Sequence, residues 1–347
     1  MNKTLTVNTP GKLYLMGEYG VVHDTHALIL TTKSTLTITL KSAVQSRLHS
    51  AHFMNPIHVD FDTFLARDHH FKPWALAIET TMRYLKQKGF ALTPTEMVIH
   101  STLDDEQHHS YGLGSSAALV VGLCDALAQW AGLNLDALTL AKLAMYSQRS
   151  RHQTNSYGDL ATSSFKQTLY YHKVDAQWLA HLTGDLKDII ERPWQGLVCE
   201  PLDHPKIPLL IFNTGVKTPS ETLVSAVASF FQSAAAAPWL QALDHSVSKA
   251  KNALIKGQFD QFYDAMQLQR ALHTKLAQVT QAPLFIKAYD HLDQHYQPWK
   301  QASKFSGAGG GDNYLIGLTN DAFNSGAWRT IKSPYTLIQS AIQGVLE

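Results

Sequence analysis

Two glycines and two hydroxyls stand together in Tyr111-Gly112-Leu113-Gly114-Ser115-Ser116-Ala117-Ala118-Leu119. The apolar residues that follow, Leu119, Val120, Leu123, Ala126, Leu127 and Trp130, recur every three to four positions, which predicts a tight loop opening an amphipathic helix. Such a loop can hold an anion: glycines let several backbone N–H groups converge, and the first helical turn adds unpaired N–H groups and the positive end of the helix dipole. Ser115 and Ser116 supply hydroxyls for a phosphate oxygen or a Mg²⁺ ion. By itself the run reads equally as a plain helix cap.

Three further stretches carry chemistry. Lys12 and Glu18 are the only charges in the segment from Lys12 to Val22, which follows Thr9-Pro10-Gly11, read as a turn closing a short strand at Leu5-Thr6-Val7. A lysine held just after such a turn can meet phosphate charge, although an exposed strand pair gives the same pattern. Asp159, in Asn155-Ser156-Tyr157-Gly158-Asp159-Leu160, is either a helix cap or a functional carboxylate. Ser306-Gly307-Ala308-Gly309-Gly310-Gly311-Asp312 has four glycines in five residues, which suits a loop closing against a ligand, and Tyr314 to Leu318 follows as a buried strand.

The elements that must position these groups divide into two halves. A chain of 347 residues, 45% hydrophobic, predicts two domains, cut at the proline-rich stretch Pro201 to Pro208 into 1–200 and 201–347. The first half has strands at Ala27 to Leu40 and Glu96 to His100, and helices after Pro73, from the glycine loop to Trp130, and from Asn134 to about Arg151. Trp178 to Ile190 reads as a polar connection with strand or turn character. The second half is mainly helical, with periodic runs over Ser220 to Ala236, Pro238 to Leu254 and Phe259 to Leu276.

Composition limits the partners. With 29 basic and 28 acidic residues the net charge is +1, so no overall field points to nucleic acid or an anionic membrane. No apolar run approaches membrane-spanning length, and the start lacks a secretory pattern, so a cytoplasmic protein is expected. Cys124 and Cys199 are too few for a disulfide framework or a four-ligand zinc site. The 18 histidines are scattered, and the pairs His69-His70 and His108-His109 lack metal-ligand spacing.

Taken together, Pro10 to Val22, Tyr111 to Leu119 and Lys304 to Leu318 resemble the three signature motifs of the galactokinase, homoserine kinase, mevalonate kinase and phosphomevalonate kinase (GHMP kinase) superfamily. Gly17-Glu18-Tyr19 and the aspartate after the triple glycine look like its bacterial-type phosphomevalonate kinase branch. The resemblance implies a two-domain α+β fold, with an N-terminal ribosomal protein S5 domain 2-like half and a C-terminal ferredoxin-like half. It implies an enzyme that uses ATP and Mg²⁺ to convert 5-phosphomevalonate to 5-diphosphomevalonate. Gly112, Leu113, Gly114, Ser115, Ser116 and Ala117 would bind ATP, with Ser115 or Ser116 near Mg²⁺. Lys12 and Asp159 would be catalytic, and Lys12, Glu18, Tyr19, Asp159, Ser220, Arg270, Gly309, Gly310 and Asp312 would contact the acceptor.

Lys217 and Arg149 are further candidate cations for a doubly charged reaction. Departures are Phe165-Lys166-Gln167 where a double glycine is common, Tyr157 in place of a small residue, and Phe305 in place of a proline. A kinase for another small alcohol, mevalonate or a sugar, is the alternative, followed by a non-catalytic nucleotide-binding regulator. Monomer and homodimer are both compatible with the sequence.

Overall fold

The computed structural model describes residues 3–51, 55–104, 111–150 and 156–346. His108-His109, Arg151 and Asn155 lie outside them. The chain forms two compact units that interleave along the sequence. One takes the chain up to Lys12, Ser34–Lys166 and Val174–Cys199; the other takes Leu13–Lys33, Gln167–Lys173 and everything from Glu200 onward. Residue 200 separates the largest blocks, while 13–33 and 167–173 go with the second unit.

The strands are β1 (Thr4–Met16), β2 (Ala27–Ser42), β3 (Arg47–Ser50), β4 (Ile57–His58), β5 (Thr95–Ser101), β6 (Leu169–His172), β7 (Val198–Pro201), β8 (Leu209–Asn213), β9 (Lys300–Ser306), β10 (Asn313–Leu318) and β11 (Thr336–Leu337). The helices are α1 (Pro73–Gln87), α2 (Ser115–Trp130), α3 (Ala137–Gln148), α4 (Gly158–Phe165), α5 (Ala176–Ala180), α6 (Leu186–Glu191), α7 (Ser220–Phe231), α8 (Ala236–Ile255), α9 (Phe259–Thr280), α10 (Lys287–Tyr296) and α11 (Asn320–Ser325). No single helix among the described residues is long and apolar enough to cross a membrane.

In the first unit Leu36–Ser42 of β2 pair antiparallel with β5, β3 runs parallel to β5, and β4 closes antiparallel on β3. Helices α1, α2, α3 and α4 pack on one another, and α2 buries all but a few of its side chains. This all-round burial explains why α2 carries almost no charge along its length: Asp125 is its one ionisable carboxylate. In the second unit the sheet order is β11-β8-β10-β9, antiparallel throughout. Helices α8 and α9 pack together, and α9 lies on β9. The unit's core joins Leu210, Phe212, Leu223, Trp239, Leu276, Tyr289, Phe305, Tyr314 and Ile316.

Three sequence expectations are corrected. Thr9-Pro10-Gly11 is not a turn: β1 runs straight through it. Proline is tolerated in a strand where its missing N–H is not needed, and a Cβ on Gly11 would sit 2.2 Å from the Leu113 carbonyl oxygen, so glycine here serves close approach of the glycine loop rather than chain reversal. Helix α3 is capped by Asp136, which accepts from the Thr139 N–H at 2.9 Å, not by Asn134. The stretch from Trp178 to Ile190 contributes to two short helices, α5 and α6, the first capped by Asp175. Their length hides the helical period, which needs two or more turns to show.

Candidate active site

In the first unit the glycine loop forms as its composition dictates. Gly112 and Gly114 both have positive φ, 72° and 80°, and Gly114 is the N-cap residue immediately before α2. Helical bonding starts with the Ala118 N–H donating to the Gly114 carbonyl at 3.0 Å. The N–H groups of Ser115, Ser116 and Ala117 therefore have no acceptor within the helix, which is the arrangement that receives a phosphate.

Lys12 lies against this loop. Its backbone N–H donates to the Leu113 carbonyl at 2.8 Å, and its Nζ lies 3.4 Å from the Gly112 carbonyl. A Cβ on Gly114 would stand 3.1 Å from Lys12 Cε, so the lysine stem runs over the position that a side chain would fill. The ammonium is thereby brought to the N-terminal end of α2, where it adds to the helix dipole.

Asp159 is the second residue of α4 and accepts from the Leu160 N–H at 2.9 Å. It lines a cavity of about 150 Å³ together with Ser116, Ala117, Gln148 and Tyr157. Ser115 and Ser116 also line a second cavity of about 1130 Å³, whose walls include Trp74, His69, Ile99 and Tyr111. The serines thus border both a small polar cavity and a large one of nucleoside size. Among the described residues no three His, Cys, Asp or Glu side chains are grouped to hold a metal. Ser115, Ser116 and Asp159 are nevertheless hard oxygen donors, which suits Mg²⁺ held largely by substrate phosphates and one carboxylate.

In the second unit the glycine-rich loop after β9 is fixed at nearly every residue. Ser306 Oγ donates to the Tyr14 carbonyl at 2.7 Å, Tyr19 OH to the Ala308 carbonyl at 2.5 Å, and Thr218 Oγ1 to the Gly310 carbonyl at 2.6 Å. The Gly310 N–H donates to the Leu284 carbonyl at 2.8 Å, the Asp312 N–H to the Val216 carbonyl at 2.7 Å, and the Tyr289 hydroxyl bonds both N–H and C=O of Gly311. The loop is preformed. Ser220, the first residue of α7, is exposed two residues beyond Thr218.

Two residues expected to face a ligand are occupied by protein. The Glu18 carboxylate is buried, paired with Lys304 Nζ through Oε1, while its Oε2 accepts from Gln269 Nε2 at 2.5 Å. Burial pushes the Glu18 carboxyl up and the Lys304 ammonium down, and the attraction between them opposes both shifts. Arg270 is bound to Asp293 at 2.6 Å, to Tyr314 OH at 2.8 Å and to Ser303. Its guanidinium lines a groove with Lys275 and Lys300, and Asp293 also holds Lys300 at 3.0 Å. Neither Lys304 nor Gln269 was singled out from sequence. Lys304, a lone charge between Ser303 and Phe305 in a stretch leading to a glycine loop, was the available signal.

His273 completes this buried cluster. It is fully buried, with Nε2 3.4 Å from the Glu18 carbonyl and Nδ1 without a hydrogen-bond partner. Burial, aided by the Lys304 charge, lowers its pKa to about 3. A folded-state pKa below that of the unfolded chain means the unfolded chain takes up the proton first, so stability contributed by neutral His273 is complete above pH ~6.5 and drains as pH falls toward 3. From pH 6.5 to 5 this single residue should cost about 2 kcal/mol. Urea midpoints measured across that range should fall less steeply in His273→Leu than in the natural sequence.

Residues 75–167 match the GHMP kinases N terminal domain family. A phosphomevalonate kinase from a Streptomyces species is 25% identical over 335 residues, spanning 89% of this chain and 88% of that protein. The chain is thus similar to GHMP kinases, with the family's N-terminal domain matched within its first half. Solved GHMP-type neighbours share the two-domain α+β fold along the whole chain. Streptococcus pneumoniae phosphomevalonate kinase, in complex with phosphomevalonate and AMPPNP, superposes with a TM-score of 0.80 at 23% identity over 94% of this chain and 96% of its own. The Lin0012 protein from Listeria innocua superposes with a TM-score of 0.86 at 27% identity over 96% and 98%. The matched residues contain the loop from Gly112 to Ser116 and Asp159.

Proposed function

We propose that this protein transfers the γ-phosphoryl group of ATP to the phosphate of 5-phosphomevalonate, giving 5-diphosphomevalonate and ADP. The observation that carries the phosphoryl-transfer reading is the Lys12 stem lying over Gly114 at the start of α2. The full-length likeness to a phosphomevalonate kinase supports the choice of acceptor, and the nearly neutral overall charge and absence of any long apolar run are compatible with a soluble cytoplasmic enzyme.

In this reading the N–H groups of Ser115 to Ala117 and the loop Gly112 to Ser116 bind the phosphates, and the nucleoside enters the cavity beside Trp74. Lys12 stabilises charge on the transferred group as an acceptor oxygen bonds to phosphorus and the bond to ADP breaks. Ser115 or Ser116 would hold Mg²⁺ together with the phosphates, and the ion would further neutralise that charge. A phosphomonoester is already largely dianionic at neutral pH. Asp159 therefore has no proton to remove and acts by orienting the acceptor and balancing charge. Ser220, Tyr19 and the loop Gly309 to Asp312 serve the acceptor. Arg270, already engaged by Asp293, serves it through Tyr314 and Ser303 rather than by direct contact.

A coupled assay offering 5-phosphomevalonate, mevalonate and galactose in parallel with MgATP tests the reading. Turnover with 5-phosphomevalonate alone is the expected result; turnover with mevalonate or galactose instead would assign another acceptor. If the acceptor is its own nucleophile, Asp159→Asn should leave the pH dependence of kcat without a new basic limb while raising the acceptor KM.

A further inference from the structure

Glu18 and Lys304 stand 286 positions apart and form the most deeply buried ion pair among the described residues, with side chains 2% and 0% exposed. Burying two charges is an inefficient route to stability, because desolvation consumes most of the attraction and an apolar pair of similar volume often does as well. The bonding around the pair points to another use. Lys304 Nζ also donates to the Phe305 carbonyl at 2.6 Å, at the strand end that leads into the glycine-rich loop. Gln269 joins the Glu18 carboxylate to the Gly17 N–H, which it accepts at 3.2 Å. His273 meets the Glu18 carbonyl.

The Gly17 N–H, the Glu18 carbonyl and both Glu18 carboxylate oxygens are thus engaged, and the next residue carries the strain. Tyr19 has φ 64° and ψ −50°, a backbone conformation that a side chain disfavours and that persists only where the surroundings impose it. In that conformation its hydroxyl reaches the Ala308 carbonyl in the middle of the loop.

We propose that Glu18, Lys304 and Gln269 are positioning residues which impose the strained turn at Tyr19, and that Tyr19 in turn sets the pose of the loop Ser306 to Asp312 for the acceptor. This rests on the acceptor-side reading of that loop, and it moves Glu18 from ligand contact to support.

Three variants test it, each read as kcat, KM for ATP, KM for the acceptor, and Tm. Tyr19→Phe leaves the ion pair whole and removes only the hydroxyl; kcat should fall by about fivefold or more with KM for ATP within about twofold of the natural value. Glu18→Gln keeps the shape and the Gln269 contact but not the charge, and should lower kcat by about tenfold or more. The double variant Glu18→Met with Lys304→Met removes both charges, so its Tm should return to near the natural value while kcat stays low by about tenfold. A folded double variant with natural turnover would reduce the pair to a structural role and overturn the proposal. Should the double variant fail to fold, Tyr19→Phe decides alone: turnover within about twofold of the natural enzyme overturns it as well. These ratios are measured with whichever acceptor the natural enzyme uses, so an error in the acceptor is detected separately, by the natural enzyme's own substrate profile.

Discussion

Replacing Lys12 by methionine is expected to lower kcat by about a hundred- to a thousandfold while KM for ATP changes by less than about threefold. Methionine preserves the unbranched stem that lies over Gly114, so the loop keeps its packing and only the ammonium is lost. The split follows from where the charge acts. In the proposed function ground-state ATP would be held by the N–H groups at the start of α2, whereas charge on the group in flight needs a cation fixed in advance. Single-turnover measurements at saturating MgATP provide the check, and a variant retaining more than about a tenth of natural turnover would remove Lys12 from this role.

Gly311→Ala should be among the most damaging single methyls in the second unit. Gly311 has φ 142°, and a Cβ there would lie 2.3 Å from the Val216 carbonyl oxygen and 2.8 Å from its carbon. The obstacle is the Val216 backbone, so it cannot swing away as a side chain would. Displacing the loop also breaks the two bonds between Gly311 and the Tyr289 hydroxyl. A displacement of about 1 Å in a positioning element can cost on the order of a hundredfold in rate, and that loss is expected here. Strain and broken bonds should in addition lower stability by about 1–3 kcal/mol. Gly307→Ala is the control: nothing lies within 4 Å of a Cβ there, so its effect should be confined to the strain of φ 82°. Equal losses in both variants, by kcat and by urea midpoint, would refute the contact argument.

What the sequence disclosed and what it hid divide along sequence distance. The loop at Gly112 and the start of α2 at Ser115 were readable because glycine, hydroxyl and apolar period are all local signals, confirmed by the observed helix Ser115–Trp130. The buried strand after the second glycine loop was readable for the same reason, and all six residues of β10 are buried. The role of Gly11 was misread as a turn because its reason, the Leu113 carbonyl, lies a hundred residues away. The family resemblance places Glu18 among the acceptor contacts, and nothing in the local sequence points to a distant counter-charge. Only the fold supplies Lys304. The two cysteines are free, and burial pushes each thiol up to about 12, which leaves them unreactive at neutral pH.

The second unit is assembled from pieces that leave the ribosome far apart in time. Leu13–Lys33 belongs to it, yet most of its partners come after Glu200, and Lys304 emerges 286 residues behind Glu18. At roughly 5–20 residues per second, the early segment waits on the order of tens of seconds for them. During that interval the apolar run Leu13-Tyr14-Leu15-Met16 and an unpaired Glu18 remain on a nascent chain that cannot yet bury them. The buried pair, and the turn at Tyr19 that it adjoins, can therefore form only once β9 has been made.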